Sequence, residues 1–420
     1  MLIVILVGTN PLPCYLSAVY LIKRYEECNN LEVILISSEQ NNEKNQIGTK
    51  SIAERIEAQL KNILEISNGM VKIHSLTDIN SDKEIKKIVK ELRNEDIKAH
   101  LNYTGGTKTM SALFYHHMSE AFIDSFSSSY LDARNHKILI FNDEGENSND
   151  LRTFEPFRLD LLRISELHGK SVNIAKDEYR YKDAANKLAS MFDEYLKGEH
   201  KHDFFDSHNG YNKSKLLKHL CKHDIFEDKK LLEKCEIDEC VKKLGIENVV
   251  SLLPIKDQSL YPEGKKQENS RIKINKLFEG IWLEYFIFNK LSNLVDKEGI
   301  DIYFDVKKSP PVEFQLDIVA IYGYQLTVIS ITTSNQKGIV KLKGFEAMHR
   351  ARQLGGDEAK TIVISFLTSD NCSELRNDLE EEVGSVSKKY HVIGYDDFTK
   401  LYEQKSDQNL FKEIIDFIKE

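Results

Sequence analysis

Residues 98–110 read Lys98-Ala99-His100-Leu101-Asn102-Tyr103-Thr104-Gly105-Gly106-Thr107-Lys108-Thr109-Met110: a short strand, a polar loop with two adjacent glycines, and the start of a helix. Paired glycines let the backbone come close to a ligand and turn N–H groups toward an anion, and the N-terminus of the following helix adds favourable partial charge. Thr104 and Thr107 offer hydroxyls and Lys108 a cation. The spacing is not that of the phosphate loop Gly-x-x-x-x-Gly-Lys-Ser/Thr, and a dinucleotide fingerprint is absent. A loop at the carboxyl end of a strand in an open α/β sheet sits where ligands of such sheets bind. The turn Gly8-Thr9-Asn10-Pro11 is expected on the same edge.

Outward from this loop the chain alternates. An apolar run from Leu2 is followed by a helical pattern over Tyr15–Tyr25 and a strand at Leu31–Ile36. A helix over Ser51–Ile66, a strand at Val71–His74, a helix over Glu84–Glu95 and the strand Lys98–Leu101 continue the order, and Tyr130–Asp132 with Lys137–Phe141 reads as a closing hairpin. Strands alternating with helices of this length predict a parallel sheet covered on both faces.

The 420 residues suffice for two or three domains. We expect a Rossmann-like sensor over 1–150, a helical connector over 151–265 and a second α/β domain over 266–420, with a linker at Pro262–Ser270. The composition, 41% hydrophobic and 30% charged, is that of a soluble globular chain, without an apolar run fit to span a bilayer. Met1–Val7 lacks a basic lead and a cleavage site, so it reads as a buried strand and not as a leader. A net charge of -9 argues against coating nucleic acid through the whole surface and leaves room for a local basic groove. The six cysteines lack zinc-site spacing and read as reduced cytoplasmic thiols. The patch Gly198–Asp203 with His208 and His223 reads as a solvated turn.

In the C-terminal part, Gly280-Ile281-Trp282-Leu283-Glu284-Tyr285 falls on a helix expected over Ile272–Leu291. Strands are expected at Ile302–Val306, Phe314–Ile321 and Leu326–Thr332, with the hairpin turn at Gly323, then a helix to Leu354, a strand at Thr361–Phe366 and a terminal helix. The helix after the hairpin holds Lys337, Lys341, Lys343, Arg350 and Arg352 against one acid, Glu346, and Lys343, Glu346 and Arg350 share a face.

With these residues in view, Asn102–Met110 together with Val7–Pro11 resembles the CRISPR-associated Rossmann fold (CARF) sensors of type III CRISPR antiviral defence, in particular those joined to a nuclease-like domain. The resemblance implies a cytoplasmic homodimer binding a cyclic oligoadenylate, commonly cyclic tetra-adenylate, across its twofold axis, with Thr9, Asn10, Asn102, Thr104, Gly105, Gly106, Thr107 and Lys108 as ligand contacts. A ring with internal twofold symmetry suits an isologous dimer.

The order helix, hairpin, helix in the C-terminal half resembles the restriction-endonuclease-like PD-(D/E)xK nuclease fold. That resemblance implies a Mg2+ or Mn2+ held by Glu284, Asp317 and the Ile331 carbonyl, and cutting of DNA or RNA. Ser330 and Thr332 stand where the pattern has a carboxylate and a lysine. Lys343 and Glu346 would restore the chemistry from the following helix, so the catalytic set is Glu284, Asp317, Lys343 and Glu346. A solvated basic face or a non-catalytic phosphate groove is the alternative, and with it a ligand-controlled binding or regulatory protein with an inactive nuclease-like domain. Asp305 and Glu313 are further carboxylates near the hairpin, each equally readable as a site carboxylate or as a strand-end surface residue, and Asp357 reads first as part of a helix stop. A third role left open is slow cleavage of the cyclic ligand by the sensor itself, with Lys108 or a loop hydroxyl assisting the ribose 2′-hydroxyl.

Overall fold

The computed structural model describes residues 1–28, 30–64, 70–93, 97–133, 135–141, 151–153, 157–174, 185–186, 189, 205–206, 210–211, 280–310, 313–383, 389–400 and 410–420. These fall into two compact units: Met1–Val172 with Ile321–Leu326 and Ala351–Ala359, and Asn173–Ala320 with Thr327–Arg350 and Lys360–Glu420. Among the described residues no helix is long and apolar enough to cross a membrane.

The first unit runs β1 (Leu2–Leu6), α1 (Pro11–Arg24), β2 (Glu32–Ser38), α2 (Lys50–Leu64), β3 (Val71–Leu76), α3 (Asp82–Leu92), β4 (Ala99–Asn102), α4 (Lys108–Ala121), β5 (Phe126–Asp132), β6 (Lys137–Phe141) and α5 (Leu161–Leu167). Its sheet has the order β3-β2-β1-β4-β5-β6. All pairs are parallel except β5 with β6, where Asp132 faces Lys137. Every residue of β1, Leu-Ile-Val-Ile-Leu, is buried, as a parallel strand covered on both faces requires. One side of the core joins Val4 and Leu6 to Ile36, Leu101, Met110 and Phe114.

Helix starts follow local chemistry. Pro11 lacks an N–H and occupies the first turn of α1, while the Asn10 side chain caps it by accepting from the Leu12 amide at 3.4 Å. That places the start four residues before the expected Tyr15. Ser81 caps α3 through the Glu84 amide at 3.3 Å, and acids sit in its first turn. Inside the sheet His100 is fully buried, with its ring nitrogens 2.7 Å from the Ser127 hydroxyl and 2.8 Å from the Ser129 hydroxyl.

The second sheet has the order β14-β13-β12-β11-β10-β7, built from β7 (Val172–Ile174), β10 (Ile300–Lys308), β11 (Phe314–Tyr322), β12 (Gln325–Ile331), β13 (Lys360–Ile364) and β14 (Tyr390–Ile393). Strands β12, β13 and β14 run parallel. Between them lie α6 (Trp282–Val295), α7 (Lys337–Gly355), α8 (Ser369–Val383), α9 (Tyr395–Lys400) and α10 (Leu410–Lys419). Trp282 and Phe286 of α6 are buried, Phe286 against Phe411 of α10. Gly323 turns the β11–β12 hairpin at φ +62, as expected.

Several expectations need adjustment. The single terminal helix expected after β13 is α8, β14, α9 and α10; the four-residue run Tyr-His-Val-Ile of β14 is too short for a clear period. The stretch 151–265, read as a helical connector, contributes α5 but also β7 and a small hairpin, β8 (Phe205–Asp206) with β9 (Gly210–Tyr211). Most of it, with the Gly198–Asp203 patch, His208, His223 and the Pro262–Ser270 linker, lies outside the described residues, as do 272–279 of the expected helix.

Candidate functional site

Strands β1 and β4 are parallel neighbours in register from Leu2↔Ala99 to Ile5↔Asn102, so their carboxyl ends stand side by side. This is where the strand order reverses, the usual ligand position in open α/β sheets. The turn after β1 (Gly8, Thr9, Asn10) and the loop after β4 (Tyr103 to Thr107) therefore share one edge, as expected. Their backbones pack directly: a Cβ added at Gly105 would lie 2.6 Å from the Gly8 amide nitrogen and 2.6 Å from Cys14 Sγ. Gly106 has φ +79, a left-handed conformation natural to glycine.

The polar residues of this edge divide by what they touch. Asn102 is fully buried; its Nδ2 donates to the Ser129 hydroxyl at 2.9 Å and its Oδ1 accepts from the Thr104 amide at 3.3 Å. Thr104 Oγ1 accepts from the Leu131 amide at 2.7 Å. These side chains fix the loop to β5. Thr107 caps α4, its Oγ1 accepting from the Met110 amide at 3.2 Å. Asn10, besides capping α1, lies 3.4 Å from His168 Nε2. Thr9, Gly106, Thr107 and Lys108 are exposed. Lys108 opens α4 and has no ion-pair partner among the described residues. An exposed ammonium beside a helix N-terminus and two glycine turns can receive an anionic group.

Beside this loop lies a feature the sequence reading did not single out. Tyr103 stacks on Tyr130 with ring centroids 6.0 Å apart and on Phe141 at 6.4 Å, and meets Tyr115 edge-on at 6.3 Å. Tyr115, Tyr130 and Phe141 are exposed. Burial, then the neighbouring Tyr115 and Tyr130 hydroxyls, push the Tyr103 phenol up. The four rings come from positions 103, 115, 130 and 141, on the β4 loop, α4, β5 and β6, so no local pattern announces them.

The second unit has a polar cleft lined by residues that include Gln315, Asp317, Ser330, Lys343, Glu346 and Arg350. The face predicted for Lys343, Glu346 and Arg350 on α7 is thus brought against Asp317 of β11. Asp317 Oδ2 accepts from the Ile331 amide at 2.7 Å, and the Ser330 side chain also hydrogen-bonds to it. Lys343 Nζ donates to the Ile331 carbonyl at 3.4 Å. Arg350 donates to the Gln315 carbonyl at 2.8 Å, pairs with Glu346 and lies over the Phe314 ring.

Glu284, on α6, does not line the cleft but lies within its electrostatic reach. Burial raises its carboxyl well above the ordinary range, the charges of Asp317 and Asp305 add to this, and Lys343 opposes it. Burial also raises Asp317, against the Ile331 amide, Lys343, Ser330 and Arg350. Of the two readings open for Asp305, the surface one falls away: it is 2% exposed within β10, has φ +50, and pairs through Oδ2 with Lys307 at 2.8 Å while Oδ1 has no hydrogen-bond partner among the described residues. Glu313 is exposed, and Asp357 pairs with Arg352 at 2.9 Å. Thr332 is tied into its surroundings, its amide donating to the Ile364 carbonyl and its Oγ1 accepting from the Ser334 amide. Carboxylate and carbonyl oxygens are the donors that Mg2+ or Mn2+ takes, so the residue types here are of the right chemistry for such an ion.

Comparison with known proteins bears on the first unit and on the fold. Residues 3–152 match the family model of the Card1 CARF domain. No curated protein matches the sequence. Among solved structures, protein VC1899 from Vibrio cholerae superposes with a TM-score of 0.60 at 13% identity, covering 100% of this chain and 98% of that one. Can2 from Sulfobacillus thermosulfidooxidans, solved in complex with cyclic tetra-adenylate, superposes with a TM-score of 0.56 at 16% identity, covering 99% of each chain. At such identities the likeness is one of fold. The chain is a two-sheet α/β protein whose first unit is CARF-like.

Proposed function

We propose that this protein is a cyclic oligoadenylate-controlled effector of type III CRISPR defence. The observation that carries the reading is the direct packing of the Gly8 turn against the Gly105 loop at the β1/β4 edge, inside the segment that matches the CARF domain. The cyclic tetra-adenylate held by the similar Can2 structure supports a ring of that class. Thr9, Gly106, Thr107 and Lys108 contact its phosphates, and Asn10, Asn102, Thr104 and Gly105 set the backbone that presents them. Two copies related by a twofold axis would offer this edge twice to one symmetric ring.

In the same reading the second unit is nuclease-like, of the PD-(D/E)xK class, and cuts DNA or RNA. Glu284 and Asp317, with the Ile331 carbonyl, would hold Mg2+ or Mn2+, which when bound neutralises charge on a phosphoryl group and lowers the pKa of a bound water. Lys343 keeps a positive charge beside Asp317, Arg350 offers a fixed guanidinium to a phosphate, and Glu346 holds that guanidinium in place. Burial and the neighbouring Asp317 charge raise the Glu284 carboxyl, the strain that a bound cation would relieve by neutralising the pair.

A second reading, a ligand-controlled binding protein that does not cut, is favoured by one specific observation. Ser330 and Thr332 stand where a carboxylate and a lysine would serve catalysis, and both are hydrogen-bonded into the fold. The two separate on incubation of the full chain with plasmid, single-stranded DNA and RNA, with Mg2+ or Mn2+, with and without each cyclic oligoadenylate. Ligand-dependent cutting that is lost in Asp317→Ala supports the nuclease. Nucleic acid bound but intact with either metal supports the binding protein.

A further inference from the structure

The geometry points to a transition-metal site of the zinc class on α4, formed by His116, His117 and Glu120, with Asp82 of α3 behind His117. One ring nitrogen of each histidine and one Glu120 carboxylate oxygen lie within 4.8 Å of one another, and among the described residues no other trio of histidine, cysteine or acidic side chains does so. The spacing is helical: Glu120 follows His117 by three residues and His116 by four, so one turn of α4 presents all three. His116 Nε2 lies 3.6 Å from Glu120 Oε1, and the two imidazole centroids are 4.9 Å apart.

The three side chains differ in a way an incidental surface cluster does not need. His116 and Glu120 are about 60% exposed, whereas the His117 side chain is 6% exposed. Asp82 Oδ1 sits 2.6 Å from His117 Nε2. With Nε2–H donating to Asp82, Nδ1 carries the ring's lone pair, and no hydrogen bond engages it among the described residues. A carboxylate holding one nitrogen of an imidazole whose other nitrogen meets the metal is the arrangement that fixes the tautomer and raises ligand basicity in metal sites. An ion pair between His117 and Asp82 alone would need neither His116 nor Glu120.

Two imidazoles and one carboxylate form the donor set of Zn2+ and its neighbours Co2+, Ni2+ and Cu2+; Mg2+ and Ca2+ prefer all-oxygen shells. Three protein donors leave a fourth place for water. The position gives the cation a mechanical consequence. Asp82 is the first residue of α3, and the histidines lie in the C-terminal half of α4, whose first residue is Lys108 of the glycine loop. A bound cation would tie the start of α3 to the helix that carries the loop.

The test titrates Zn2+ into the full chain by calorimetry and follows Co2+ by its visible absorption. The expected result is one tight Zn2+ per chain and low-coordinate Co2+ bands. His116→Ala and Glu120→Gln, both at exposed positions, should weaken binding at least about tenfold, and Asp82→Asn by about 10- to 100-fold, with unchanged circular dichroism. Absence of uptake would overturn the site. So would uptake that His116→Ala and Glu120→Gln leave unaltered, because the metal would then be held by other histidines such as His200, His202 and His208.

Discussion

Gly105 and Gly8 meet backbone to backbone: a methyl group on Gly105 would stand 2.6 Å from the Gly8 amide nitrogen, closer than any carbon sits in a relaxed structure. The two turns after β1 and β4 are therefore one structural object. What disturbs one glycine disturbs the whole edge.

The first prediction follows from that contact. Gly105→Ala should force the β4 loop away from β1, cost about 1–3 kcal/mol of stability through overpacking, and weaken cyclic oligoadenylate binding by more than about tenfold. Thermal unfolding and calorimetry of the variant check both. Unchanged affinity would show that the edge does not touch the ligand.

Lys108→Ala tests the same edge without touching its frame. The side chain is exposed and has no ion-pair partner among the described residues, so the melting temperature should stay within a degree or so. A charge-assisted contact to a phosphate contributes about 1.5–3 kcal/mol, so affinity for the ring should fall by about tenfold to a hundredfold. The loss should shrink as salt is added.

Legibility differed between the two units for physical reasons. The first sheet was readable because its strands are continuous apolar runs, and the position of the glycine loop because paired glycines between a strand and a helix start mark a tight turn at the sheet's edge. The clustering of Asp317 with Lys343, Glu346 and Arg350 was half legible: helical spacing gave the shared face of α7, and only the fold brings it against β11. Asp305, open between a site carboxylate and a surface residue in the sequence, is decided only by the fold, because alternation cannot reveal a left-handed residue inside a strand. The Tyr103 ring stack and the pairing of His117 with Asp82 join residues far apart in the chain, and pattern along one segment is blind to both.

The buried acids predict a pH dependence. The folded pKa of Glu284 is raised, so between the unfolded value and the folded one the native state holds more protons, and stability falls as pH rises through that window. Glu284→Gln should remove this slope and raise the denaturation midpoint at neutral pH, with little effect near pH 4. Denaturant titration at a series of pH values measures it. A variant less stable than the parent at neutral pH would contradict the assignment.

His100 gives the opposite sign. Burial, followed by the charge of Arg24, lowers its pKa to about 3, so the unfolded chain binds this proton first and stability is lost as pH falls below about 6.5. Its imidazole resonances should stay those of a neutral ring between pH 5 and 8. A titration midpoint near 6 would show that the ring is not enclosed by Ser127 and Ser129.

The most direct test of the account is calorimetric titration of the full chain with cyclic tetra-adenylate, beside the other ring sizes and linear oligoadenylate. Uptake of one ring per two chains is expected, lost or strongly weakened in Lys108→Ala and Gly105→Ala. No heat with any cyclic oligoadenylate, or uptake indifferent to both substitutions, would contradict it.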